Sequence, residues 1–137
     1  MAIAKINCRI IPEDNIDFVM NYVNKIIADE RVVVTVSKGF QSFNPSPISP
    51  IDSDGFNLLQ TTIHEIIPGT IVVPTVSIGA TDSRHYSNLS DNVYRYSPIV
   101  LNIEEVQMVH GLNEKISVDN YNRLVAFYYR LMENSGN

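Results

Sequence analysis

The sequence predicts an α/β fold. Three observations predict it. "AKINCRII" (4–11) alternates apolar and polar residues with the period of a half-buried strand. Ile16, Val19, Met20, Val23, Ile26 and Ile27 then follow helical spacing. "RVVVTVS" (31–37) is β-branched, as strands prefer. Residues 3–37 therefore read strand–helix–strand.

Each element has a local justification. In the first strand Ala4, Ile6, Cys8 and Ile10 share one face, and Lys5, Asn7 and Arg9 the other. Pro12 ends it. Asp14 or Asn15 can cap the first helix by accepting from its exposed amides. "KGFQSFNPSPISP" (38–50) holds Gly39, Pro45, Pro47 and Pro50. Proline lacks an N–H and biases its predecessor to extended geometry, so this stretch reads as a linker or boundary. Asp52 or Ser53 can cap a helix from about 54 to 67, with Phe56, Leu59, Ile63, Ile66 and Ile67 on its apolar face. Pro68-Gly69 stops it. "TIVVPTVS" (70–77) reads as a short strand, and "GATDSRHY" (79–86) as a loop opening a short helix. "NVYRYSPIV" (92–100) reads as a strand and "VHGLNEKI" as a loop. Ser117 caps a last helix whose predicted buried face is Tyr121, Leu124, Val125, Tyr128, Leu131 and Met132. "MENSGN" reads as a frayed end.

Composition narrows the function classes. The chain has 137 residues, 45% of them hydrophobic and 18% charged, with a net charge of −5. An acidic chain lacks the basic face of a duplex nucleic-acid binder, so no nucleic-acid partner is expected. Its single cysteine, Cys8, excludes an internal disulfide framework. No apolar run approaches the ~20 residues that span a bilayer. "MAIAKINCRI" carries no signal-peptide apolar block. These features predict no membrane association and favour a cytoplasmic location.

The candidate chemistry is sparse. His64 lies in "TTIHEII", off the apolar face and outside any H-E-x-x-H pattern. His85 adjoins Arg84, whose positive charge disfavours a nearby metal ion. His110 precedes Gly111 in a loop, and spacing alone leaves ligation open. Glu104-Glu105 reads as a solvated helical turn. Arg84 and Arg9 suit a substrate carboxylate, because a guanidinium matches it bidentately. Gly79 either lets a ligand approach the backbone or permits a turn. Ser83 lacks the G-x-S-x-G elbow of a nucleophile. No complete catalytic site is assembled, and no catalytic residue is assigned.

Three segments carry a resemblance: "INCRIIPEDNIDFVMNYV", "GATDSRHYSNLSDNVYRYSP" and "VHGLNEKISVDNYNRLVAFYYRLM". In this order they resemble the carboxy-terminal part of the co-catalytic zinc peptidases related to carboxypeptidase S, aminoacylase and succinyl-diaminopimelate desuccinylase. The carboxypeptidase S type is the nearest likeness. The resemblance implies that residues 1–40 are half of a lid, or dimerisation, domain. Residues 41–137 would be the C-terminal part of a phosphorylase/hydrolase-like zinc peptidase catalytic domain. It implies that His110 is a metal ligand. It implies that Arg9 meets the substrate carboxylate with help from Asn7, and that Gly79, Thr81 and Arg84 line the substrate pocket. The implied cofactor is zinc, two ions per complete site, bound weakly or not at all by this chain alone. The implied substrate is a small peptide or N-acyl amino acid, whose amide bond is hydrolysed. The family's H-x-D, bridging aspartate and paired glutamates have no counterpart here. The chain is therefore expected to be inactive alone. The other readings are a non-catalytic interaction module, self-associating through the unpaired edge of the half lid, and an enzyme assembled with a second polypeptide.

Overall fold

The structure, a computed structural model, describes residues 2–37, 42–77 and 79–136. Its regular elements are helices: α1 (Ile16–Ile27), α2 (Asp54–Ile66), α3 (Ile103–Met108) and α4 (Val118–Ser135), with a 3-10 turn at Asp82–His85. The α/β expectation is overturned. Among the described residues there is no strand and no sheet, so the strand–helix–strand half lid does not form. Alternation decides which side chains share a face, but a strand also needs a neighbour to take its backbone N–H and C=O groups. Segments 2–11 and 31–37 form no such ladder. Their apolar residues stay outside, with Ile6 75% and Val33 83% exposed. The strand edge expected to mediate self-association is likewise missing from the described residues.

The chain divides into two compact units, Met1–Ile48 with Val76–Asp91, and Ser49–Thr75 with Asn92–Asn137. The first is organised around α1. Asn15 is its cap, accepting from the Phe18 amide at 2.8 Å. A second asparagine, Asn44, accepts from the Ile16 amide at 3.0 Å. Two of the helix's orphan donors are thus satisfied by side chains. The proline-rich segment supplies one of them, so its residues 42–48 buttress α1; Lys38–Gln41, with Gly39, lie outside the described residues. None of α1's residues is buried.

The second unit holds the core. α2 and α4 pack together, and Ile63 and Phe127 are each 1% exposed. Ser53 caps α2 and Ser117 caps α4, each accepting from the amide three residues on. Gly69, with φ +79, takes the left-handed turn after α2 that glycine adopts without steric cost. The predicted face of α4 is displaced. Leu124 and Leu131 are half-buried as predicted, but Tyr121, Val125, Tyr128 and Met132 are exposed, whereas Asn120 and Phe127 are buried. The predicted strand 92–100 explains this register. Side chains replace a ladder: Ser49 Oγ bonds both the N–H and the C=O of Val93, at 2.9 and 3.0 Å. Asn120 does the same for Val100, at 3.0 and 2.8 Å. Tyr96 then packs on Phe127 with ring centroids 5.0 Å apart.

The "MENSGN" stretch read as a frayed end is helical through Ser135. Asn134 donates to Thr62 Oγ1 at 3.0 Å and to Glu65 at 2.9 Å. Arg130 grips Glu65 with two N–H···O bonds of 2.7 and 3.1 Å. Hydrogen bonds from Arg130, then Asn134, hold the Glu65 carboxyl down to about 2 from an ordinary 4.5. A carboxyl depressed by folding stabilises the fold above its ordinary value and loses that contribution as pH falls toward the folded one. Thermal unfolding followed by circular dichroism should therefore show a loss of stability between pH 4.5 and about 2. The loss should be smaller in Glu65→Gln. Equal losses in the two proteins would remove the pair from the account.

Candidate functional site

The first unit contains five of the six predicted site residues. Asn7 and Arg9 are exposed on a segment without regular structure, so they do not share a strand face. Gly79 is exposed, and a Cβ added there would meet Ser77 Oγ at an ordinary 3.7 Å. Its backbone therefore does not require glycine. Thr81 caps the 3-10 turn by position, and its hydroxyl lies 2.5 Å from that of Ser83. Arg84 sits within that turn, half-buried, its guanidinium carbon 4.7 Å from the centre of the Phe43 ring. Ser87 Oγ donates to the Arg84 carbonyl at 2.9 Å, closing the turn from the other side. The turn thus brings Thr81 and Arg84 together. Among the described residues neither Asp82 nor His85 belongs to a group of three side chains that could hold a metal ion. A cleft of about 460 Å³ lies between Pro12–Asn15 and Asn44–Ile48, and none of the six predicted residues lines it.

His110 belongs to the second unit. α3 leads to it, held by a capping box in which Asn102 accepts from the Glu105 amide and Glu105 accepts from the Asn102 amide, both at 2.9 Å. Glu105 is therefore a cap, in keeping with its reading as a helical turn. Beyond α3 the chain turns sharply. The Gly111 amide donates to the Met108 carbonyl at 2.8 Å. A Cβ at Gly111 would lie 3.2 Å from that oxygen, a tight contact that glycine avoids. His110 takes φ +62 and Asn113 φ +61, left-handed conformations uncommon outside glycine. The His110 amide donates to the Glu114 carboxylate at 3.1 Å. The imidazole, on an exposed residue, is thus carried by a constrained loop.

Among the described residues no three His, Cys, Asp or Glu side chains come close enough to hold one metal ion. These residues are not a zinc centre by themselves. His64 is exposed in the last turn of α2, as its position off the apolar face implied. Sequence reasoning missed Phe43, Asn44, Asn120 and Glu114. Phe43 and Asn44 fell in a stretch read as linker, and no local pattern marks an aromatic ring for an arginine far along the chain.

Comparison with known proteins decides the family. The model of the peptidase family M20/M25/M40 matches residues 5–134. The chain belongs to that family. A probable carboxypeptidase S-like 2 of Dictyostelium discoideum is 42% identical over 132 residues, covering 96% of this chain and 25% of the relative. An N-fatty-acyl-amino acid synthase/hydrolase PM20D1 of Xenopus tropicalis is 45% identical over 135 residues, covering 98% of this chain and 26% of the relative. The mouse protein of the same name is 43% identical over 138 residues, covering 98% and 27%. The chain spans about a quarter of the length of the curated relatives it matches. No solved structure matches it. The carboxypeptidase S likeness read from the three sequence segments agrees with these names. Among the described residues no helix is long and apolar enough to cross a membrane.

Proposed function

We propose that this chain is the part of a zinc-dependent amide hydrolase that supplies one metal ligand, His110, and a wall of the substrate pocket. The single observation that carries this reading is the family match over residues 5–134. The relatives' names support a substrate class of N-fatty-acyl amino acids or of peptides cut as a carboxypeptidase cuts them. Both present a carboxylate beside the scissile amide. Arg84 and Arg9 are the residues suited to it, with Asn7, Gly79 and Thr81 beside them. Residues 1–40 would serve as part of the lid and 41–137 as the C-terminal part of the catalytic domain. Zinc, when bound, supplies Lewis acidity toward the amide carbonyl and water. The remaining ligands would come from outside the described residues, and the 137 residues alone would not turn over substrate.

A chimera tests this. This stretch replaces the matching quarter of the Xenopus tropicalis relative, and hydrolysis of an N-fatty-acyl amino acid is assayed with zinc. The chimera should be active and the isolated chain inactive. Turnover by the isolated chain, or a folded but inactive chimera, would defeat the proposal.

A second reading, a non-catalytic self-association module, is favoured by one observation. Thirty large hydrophobic side chains are exposed among the described residues, Leu112 at 91% and Ile71 at 85% among them. Where such side chains gather into a contiguous patch they mark an interaction face. Light scattering after size exclusion separates the two readings, because a strict monomer at high concentration counts against the module.

A further inference from the structure

We propose that Phe43 is a positioning residue for Arg84, fixing the guanidinium so that its N–H fork is ready for a substrate carboxylate. This inference rests on the reading of Arg84 as the anion contact. Four observations carry it. The Arg84 guanidinium lies over the Phe43 ring at 4.7 Å, within the ~6 Å reach of a cation–π contact. Arg84 is half-buried, while Phe43 is 47% exposed, so the ring is not committed to a core. The chain that carries the ring is held at the next residue, because Asn44 accepts from the first amide of α1 at 3.0 Å. The arginine backbone is anchored too, by the Ser87 hydroxyl on its carbonyl.

The chemistry follows from how a guanidinium divides its interactions. Stacking on a ring uses the flat face of the cation. The guanidinium carbon is the atom over the ring, so the N–H donors that do not face the ring stay available for a carboxylate. An unsupported arginine side chain carries ~2 kcal/mol of rotamer entropy, part of which must be given up when it binds an anion. A ring that already holds the cation removes some of that cost before the ligand arrives. Phe43 therefore acts on the carboxylate end of the substrate and leaves the amide end alone. The anchoring ring comes from the proline-rich segment, which gives that segment a role beyond connection.

The experiment uses the full 137-residue chain and titrates it with N-acetylleucine and with the uncharged N-acetylleucine amide, followed by nuclear magnetic resonance. Before any ligand is added, the Arg84 side-chain protons should be shifted upfield by the ring current of Phe43. Absence of that shift overturns the proposal without any variant. Phe43→Leu should weaken N-acetylleucine about two- to fivefold, the equivalent of the ~0.5–1 kcal/mol of an exposed cation–π contact. Phe43→Tyr, which keeps the ring, should bind as the unmodified chain does, and binding of the amide should be unchanged in both. Arg84→Gln should abolish the preference for the carboxylate. If Arg84→Gln changes nothing, the anion-contact reading fails and the inference goes with it. If Arg84→Gln loses the preference but Phe43→Leu binds normally, the inference alone fails. If Phe43→Tyr loses as much as Phe43→Leu, the ring is not the cause and the inference is overturned.

Discussion

Phe127→Ala should cost about 3–5 kcal/mol of stability, the usual penalty for emptying a buried aromatic site. Phe127 is 1% exposed, stands on the buried side of α4, and meets Tyr96 at 5.0 Å and Tyr128 at 5.3 Å. Among the described residues only Ile63 is an equally buried hydrophobic residue. A domain's whole stability is about 5–15 kcal/mol, so this single ring carries a large share of it. The partner variant is Met132→Ala. Met132 is 66% exposed, and its loss should stay within about 0.5 kcal/mol. Urea unfolding followed by far-ultraviolet circular dichroism measures both. Equal effects would mean that α4 turns a different face to α2.

The contrast between those two residues shows what the sequence makes legible. α1, α2 and α4 follow from spacing, and their caps from the chemistry of the first turn: Ser117 outright, Asn15 and Ser53 each as one of two candidates. Both signals are local, so a linear reading finds them. The register of α4 is not local. Periodicity selects Tyr121, Val125, Tyr128 and Met132 because they are large and apolar. The fold instead buries Asn120, a polar residue, because it satisfies both backbone groups of Val100. Burial follows the partner, and the partner is twenty residues away. The strands fail for a related reason. "AKINCRII" has a strand's alternation, but pairing depends on a second chain segment that a pattern of side chains does not specify.

The candidate site is legible to a different degree at each residue. Spacing left His110 open, and only its likeness to a known motif implied ligation. Its left-handed backbone and its bond to Glu114 have no signature beyond the glycine that follows. Arg84 is readable as a cation in a loop, but its ring partner is not. Gly79 is readable as a glycine, and the structure shows no steric need for one there.

His110→Ala should lower the zinc affinity of the chimera by more than about 100-fold, beyond the 10–100-fold that loss of an outer partner costs. Turnover should fall with it. The imidazole is a ligand in this reading, so its removal takes away a bond and not merely an adjustment. Glu114→Ala separates ligation from posture. It keeps the imidazole and removes the acceptor that meets the His110 amide at 3.1 Å. A left-handed conformation costs a non-glycine residue about 1–2 kcal/mol, and that hydrogen bond helps offset it. With the bond gone the loop relaxes, and zinc affinity should fall about tenfold, the equivalent of ~1.4 kcal/mol. Glu114→Gln retains a carbonyl acceptor and should lie between. Competition with a chelator of known affinity measures all three variants without relying on activity. The order is the informative result. If His110→Ala binds zinc as tightly as the unmodified chimera, His110 is not a ligand. If Glu114→Ala matches His110→Ala, the loop's posture governs binding as strongly as the imidazole does.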